Sequence, residues 1–151
     1  MKSSSEFVVV REQFAEEKLP DKLSELMELA FKDLLHCVEL GYEVDMGSWY
    51  VENPKADRCS VCLAGAVLAR VCHFSHGIDV RYEMQPRDLD EDSCNKLNAI
   101  DSARSGNLCY ACHYLGIDCP TNLAGMVMDT IHEDWQEEIP KRIAFLKENG
   151  L

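Results

Sequence analysis

Two cysteine pairs have the residue types and spacing for chemistry. Cys59-Ser60-Val61-Cys62 and Cys109-Tyr110-Ala111-Cys112 each set two thiols three positions apart, and His113 follows the second pair. Cys59, Cys62, Cys109 and Cys112 together supply the four thiolates of a tetrahedral structural zinc site, with Zn–S near ~2.3 Å. The stretch between Cys62 and Cys109 is much longer than zinc-ribbon spacing. Both pairs are also expected at or inside helices, where residues three apart share a face, rather than on tight knuckle turns. A second chemistry is thiol redox. At a helix start, free N–H groups favour a thiolate, which makes Cys59 the nucleophile and Cys62 the resolving thiol. The flanks do not resemble a thioredoxin βαβ unit, and Ser-Val is not a familiar active-site insert. A third is c-type haem, because Cys109-x-x-Cys112-His113 matches its attachment string with His113 as axial ligand. Such attachment belongs to exported proteins, and the sequence shows no export signal.

Cys72 with His73 or His76 does not complete a site with the first pair. On a continuous helix the ten residues from Cys62 to Cys72 span about 15 Å, too far for one ion. The preferred reading is therefore that the thiols are small apolar residues at close helix contacts, with Cys62 facing the core beside Leu63 and Ala66. Histidines 36, 73, 76, 113 and 132 are scattered singly, with no His-x-x-x-His or Ser/His/Asp signature, and Gly65 and Gly125 stand alone without a phosphate-cradling loop. No catalytic residue is assigned. No cofactor is expected, zinc on the four cysteines being the alternative.

The elements that must position these residues follow from periodicity. Residues 1–6 are Ser-rich and expected to be mobile, and Phe7–Val10 form a short strand or docking segment. Pro20-Asp21 opens the clearest helix. Leu23, Leu26, Met27, Ala30, Phe31, Leu34, Leu35 and Val38 form its apolar stripe, Cys37 lies beside that stripe, and Gly41 ends it. Tyr42, Val44 and Met46 alternate with Glu43 and Asp45 as a strand, with Trp49 and Val51 continuing it or returning as a hairpin around Gly47-Ser48. After the loop 53–57, a helix is predicted from about Ser60 to Phe74. Its Ala64, Gly65, Ala66 and Ala69 admit another backbone, within the chain or across a dimer. Glycine inside a helix is disfavoured by up to about 1 kcal/mol, so packing should offset Gly65.

Ile78, Val80, Tyr82 and Met84 read as an amphipathic strand ended by Pro86. Asp88 or Asp90 caps a helix carrying Leu97, Ile100 and Cys94, and Ser105-Gly106 stops it. Asn107 caps a short helix to Tyr114 or Leu115, with Gly116 after it. Cys119-Pro120-Thr121-Asn122 is a break. A longer helix then carries Leu123, Met126, Val127, Thr130, Ile131 and Trp135, kinked or split by Pro140. The expected fold class is α+β: a predominantly helical single domain with a small two- or three-stranded antiparallel sheet.

The 151 residues are 46% apolar and 28% charged, enough for one real core rather than a disordered chain. No apolar run is long enough to cross a bilayer, and the Phe7–Val10 patch lacks the length and cleavage site of a signal peptide. A cytoplasmic location is expected, in which the eight cysteines are thiols or ligands rather than disulfides. Fifteen basic against 27 acidic residues give a net charge of −12. That disfavours direct nucleic-acid binding, which draws its affinity from Lys and Arg, and suits a basic partner. The acid is densest in Asp88–Asp92 and in Glu133-Asp134 with Glu137-Glu138. The plain reading of both is an acidic first helical turn and a solvated face. Trp49 and Trp135 read as core or interface anchors.

The string Asp45-Met46-Gly47-Ser48-Trp49, then Cys59-x-Val61-Cys62-Leu63-Ala64-Gly65-Ala66-Val67-Leu68-Ala69, resembles small uncharacterised proteins of tailed bacteriophages and prophages. These carry a similar Cys-x-Val-Cys-Leu-Ala-Gly-Ala-Val-Met-Ala core after an aromatic residue. Leu97-Asn98-Ala99-Ile100-Asp101-Ser102-Ala103-Arg104-Ser105-Gly106 resembles a second segment of that family. The resemblance implies a phage origin, with the host cytoplasm as location, and no activity. Together these readings lead to the expectation of a non-enzymatic, acidic phage-type protein. It binds a host macromolecule, a protein in the leading reading, and one version imitates nucleic acid. Membrane association is not expected, and self-association is left open.

Overall fold

The computed structural model describes residues 4–47, 49–53, 58–75 and 86–151. Among them the chain forms α1 (Ser4–Glu16), α2 (Leu23–Glu39), β1 (Glu43–Val44), β2 (Tyr50–Asn53), β3 (Arg58–Val61) and α3 (Leu63–Ala69). After α3 come a π turn (Arg70–Ser75), α4 (Glu91–Ser105), α5 (Leu108–Tyr114) and α6 (Trp135–Glu148). The expected predominance of helix with one small sheet holds. None of the described helices is long and apolar enough to cross a membrane.

α2 lies at the centre and packs on α3, α4, α6 and β1. Its stripe buries Leu23, Leu26, Met27, Ala30 and Leu34 completely. The stripe is rotated from its expected axis: Leu35 and Val38 are exposed, while Cys37 is fully buried in the middle of the core. Residues on both flanks of a helix periodicity fit the pattern equally well, and only the neighbouring elements decide between them. Phe7–Val10 is not a strand but part of α1, because Val10 and Phe14 sit one helical turn apart and are buried together. Residues 4–6 form the first turn of α1.

The sheet departs from expectation in topology. Its order is β1-β3-β2, with β2 antiparallel to β3 and β1 parallel to β3, so the sheet is mixed and not antiparallel throughout. β1 and β2 are not a hairpin around Gly47-Ser48. β3 lies between them and pairs Glu43 with Ser60 and Tyr50 with Val61. The loop segment 54–57 and the strand expected over Ile78–Met84 lie outside the described residues.

α4 and α5 follow the local signals closely. The Asp90 carboxylate accepts the Ser93 N–H at 3.1 Å and caps α4, and Asn107 caps α5 through the Tyr110 N–H at 3.1 Å. The helix expected from Leu123 through Trp135 does not form: after a short 3-10 turn the chain is irregular until α6. Tertiary hydrogen bonds override its periodicity. The last turn of α4 leaves carbonyls without helical partners. The Gly106 carbonyl accepts the Met128 N–H at 3.1 Å, the Arg104 carbonyl accepts the Ile131 N–H at 3.0 Å, and the Ser105 carbonyl accepts the Thr130 hydroxyl at 2.8 Å. Arg142, buried on α6, donates to the Ala103 and Asp129 carbonyls, both at 2.6 Å. Gly106 has φ +96°, and a Cβ there would stand 2.0 Å from the Met128 carbonyl oxygen. α6 itself runs unbroken through Pro140.

Candidate functional site

The first cysteine motif is a strand leading into a helix rather than the start of a helix. Cys59 belongs to β3, the central strand, and its side chain lies outside the described residues. Cys62 is the N-cap of α3: its backbone is extended, and its sulfur accepts the Gly65 N–H at 3.2 Å. Every residue of α3 is buried. Gly65 explains the small-residue run, because a Cβ at this position would stand 1.5 Å from the Trp49 carbonyl oxygen. The Cys62 N–H meets that same oxygen at 3.5 Å. At Gly65 the expected close approach is thus made within the chain, against the backbone beside β2. The aromatic residue and the Cys-x-Val-Cys-Leu-Ala-Gly-Ala core are one packing unit.

Burial pushes the Cys62 thiol from 9.0 up to about 12, against the opposing pull of the Gly65 N–H. It does the same to Cys37. A nucleophilic thiol needs the opposite shift. In the second motif, Cys112 is buried and Cys109 half-buried on α5. The Cys109 sulfur lies 3.6 Å from that of Cys119, and Cys112 is near enough to Cys119 to influence its protonation. The structure therefore pairs Cys109 with Cys119, a residue read from the sequence only as part of a loop break, with Cys112 close by. Burial, then its thiol neighbours, push Cys119 up to about 12. Among the described residues, no three His, Cys, Asp or Glu side chains are gathered as a metal would require. His113, which the haem-attachment string would make an axial ligand, is exposed.

A well-formed concavity lies elsewhere among the described residues. The end of β1 and the segment entering α6 enclose a cleft of about 820 Å³ lined by Val44, Asp45, Met46, His132, Glu133, Asp134 and Trp135. Met46 and Trp135 are nearly buried and give it an apolar floor. Trp135 is held from behind by Phe31 of α2, edge to face, with ring centroids 6.1 Å apart at 69°. Asp45 is oriented by the Gly47 N–H, which it accepts at 2.9 Å, and Asp134 by the His132 N–H at 3.3 Å. Three carboxylates thus line the cleft above the apolar floor, with neither Lys nor Arg among the described lining residues. Such a cleft favours a cation whose N–H groups the carboxylates accept while its apolar stem packs on the floor.

The other acidic stretches are structural. Asp90 caps α4, Glu91 and Asp92 lie in its first turn, and Glu137 and Glu138 flank Lys141 on α6. Glu133-Asp134 beside Trp135 was the one visible part of the cleft. Asp45 and Met46 carry no signal that ties them to residues so far along the chain, since only the packing of β1 near the entry to α6 joins the two. Compared with known protein families, with curated proteins and with solved structures, the chain matches none.

Proposed function

We propose that this chain is a non-enzymatic binding protein that engages a basic macromolecule, most simply a basic protein of a phage's host. The contact is a Lys or Arg side chain seated in the cleft between β1 and α6. The observation that carries this reading is the convergence of Asp45, Glu133 and Asp134 around Trp135 in a chain of net charge −12. An Arg guanidinium satisfies the site best, because its planar fork pairs with carboxylates while its stem packs on the apolar floor of Met46 and Trp135. The surrounding negative field speeds encounter with a basic surface and repels nucleic acid. A partner that normally grips phosphate would meet carboxylates in its place. The phage-type assignment is supported by the motif resemblance around Trp49 and Cys59–Ala69.

Isothermal titration with an arginine-rich peptide at low salt tests the proposal. Binding that weakens as salt rises is the expected result, because exposed charges are screened over about 10 Å at ~0.1 M. The triple variant Asp45→Asn, Glu133→Gln, Asp134→Asn keeps side-chain shape and removes the charge. Exposed pairs are worth ~0.2–1 kcal/mol each, so losing three should lower its affinity by roughly threefold to a hundredfold. Equal affinity for variant and parent refutes the assignment of the cleft.

A further inference from the structure

The Cys109, Cys112 and Cys119 cluster has no part in the cation cleft. We propose that Cys109 and Cys119 are a redox-modifiable pair, which a hydroperoxide oxidises to an intramolecular disulfide that ties the turn after α5 back to the helix.

The geometry is prearranged by the way α5 ends. The Gly116 N–H reaches the His113 carbonyl at 3.0 Å and the Ile117 N–H reaches the Cys112 carbonyl at 3.1 Å, with Gly116 at φ +68°. These two bonds form a Schellman motif, which reverses the chain just past the helix. The reversal returns Cys119 to the first turn of α5, where its sulfur stands 3.6 Å from that of Cys109. Closing to a bond requires the sulfurs to approach by only about 1.5 Å. Both thiols are half-buried and open to a small oxidant, whereas Cys112 is 1% exposed. Cys37, Cys62 and Cys72 are buried.

The chemistry balances in two steps. A Cys109 thiolate attacks the peroxide, the O–O bond breaks, and the departing hydroxide takes up the thiol proton as water, leaving a sulfenic acid. Cys119 then attacks the sulfenic sulfur; the S–S bond forms, the S–O bond breaks, and a second water leaves with the Cys119 proton. The sulfur pair loses two electrons, which the peroxide gains.

The test treats the full-length protein with hydrogen peroxide and then alkylates the remaining thiols. Chymotrypsin cleaves after Tyr110, Tyr114 and Leu115, which separates Cys109, Cys112 and Cys119 onto different peptides for mass spectrometry. The expected result is loss of two of the eight thiols and a Cys109–Cys119 linked peptide, reversed by dithiothreitol. The linkage should form at least about tenfold faster in the native protein than in urea, because the fold holds the thiols together. Cys112→Ser should leave the reaction intact and Cys109→Ser should abolish it. A Cys112–Cys119 linkage, over-oxidation of Cys109 without linkage, or equal rates in native and unfolded protein would each overturn the proposal.

Discussion

Replacing Gly65 by Ala sets helix propensity against a backbone contact. In an unconstrained helix the change stabilises by up to about 1 kcal/mol. Here the new methyl would lie 1.5 Å from the Trp49 carbonyl oxygen, 2.5 Å from its carbon and 3.2 Å from Trp49 Cα. Carbon–carbon contacts settle near ~3.5–4 Å, so α3 and the chain beside β2 must part by on the order of 2 Å. No rotamer change relieves a clash with backbone. That displacement would also break the contact of the Cys62 N–H with the Trp49 carbonyl and loosen a helix that is buried along its whole length. Overpacking alone typically costs ~1–3 kcal/mol. A net destabilisation of about 3 kcal/mol is expected, lowering Tm by roughly 10 °C in a chain of this size. Urea titration followed by circular dichroism measures it. Ala66→Gly, one position along the same helix, supplies the comparison and should cost only about 1 kcal/mol. A Gly65→Ala variant as stable as the parent, or more stable than Ala66→Gly, would refute the packing argument for the whole motif.

Three further outcomes follow from the same structure. Cys62→Ser should be nearly neutral, since a hydroxyl can also accept the Gly65 N–H, while Cys62→Ala should lose about 1 kcal/mol in urea titration; equal losses would deny the cap. Arg142→Met strips the donors from the Ala103 and Asp129 carbonyls, and should destabilise by about 3 kcal/mol and raise amide exchange across residues 126–131, with Arg142→Lys recovering part of it. Undisturbed exchange there would show that the pin is unnecessary. Cys37 and Cys62 titrate near 12 when folded but from 9.0 when exposed, so the stability they contribute is complete below pH 9 and is lost as pH rises toward 12. Each should remove about 1 kcal/mol per pH unit in that window, and Cys37→Ala should reduce the slope of the urea midpoint against pH. An unchanged slope would contradict the burial argument.

What the sequence announces is what neighbouring residues determine. Asp90, Gly106, Asn107 and Gly116 place the limits of α4 and α5 because caps and left-handed turns act within a few residues. The Cys59–Ala69 run conceals a boundary. The run Val61–Ala69 is continuously apolar across the boundary, so periodicity does not show where β3 stops and α3 begins. The irregular 124–134 segment is apolar at helical steps, yet its backbone bonds to the end of α4 and to Arg142, partners that no local pattern contains. The same limit hid Cys119 from Cys109 and Asp45 from Trp135. Chain reversal or sheet register brings each of these pairs together, so the chemistry of the cleft and of the thiols emerges only at the tertiary level.

The proposed contact with a basic partner runs through the carboxylate cleft and not through the cysteine motifs. A two-dimensional ¹H–¹⁵N NMR titration with an arginine-rich peptide tests it most directly. Shift changes should concentrate at residues 44–46 and 132–135, with the Trp135 indole N–H among the largest. Changes centred on residues 59–62 or 109–119, or spread evenly over the acidic surface, would contradict it.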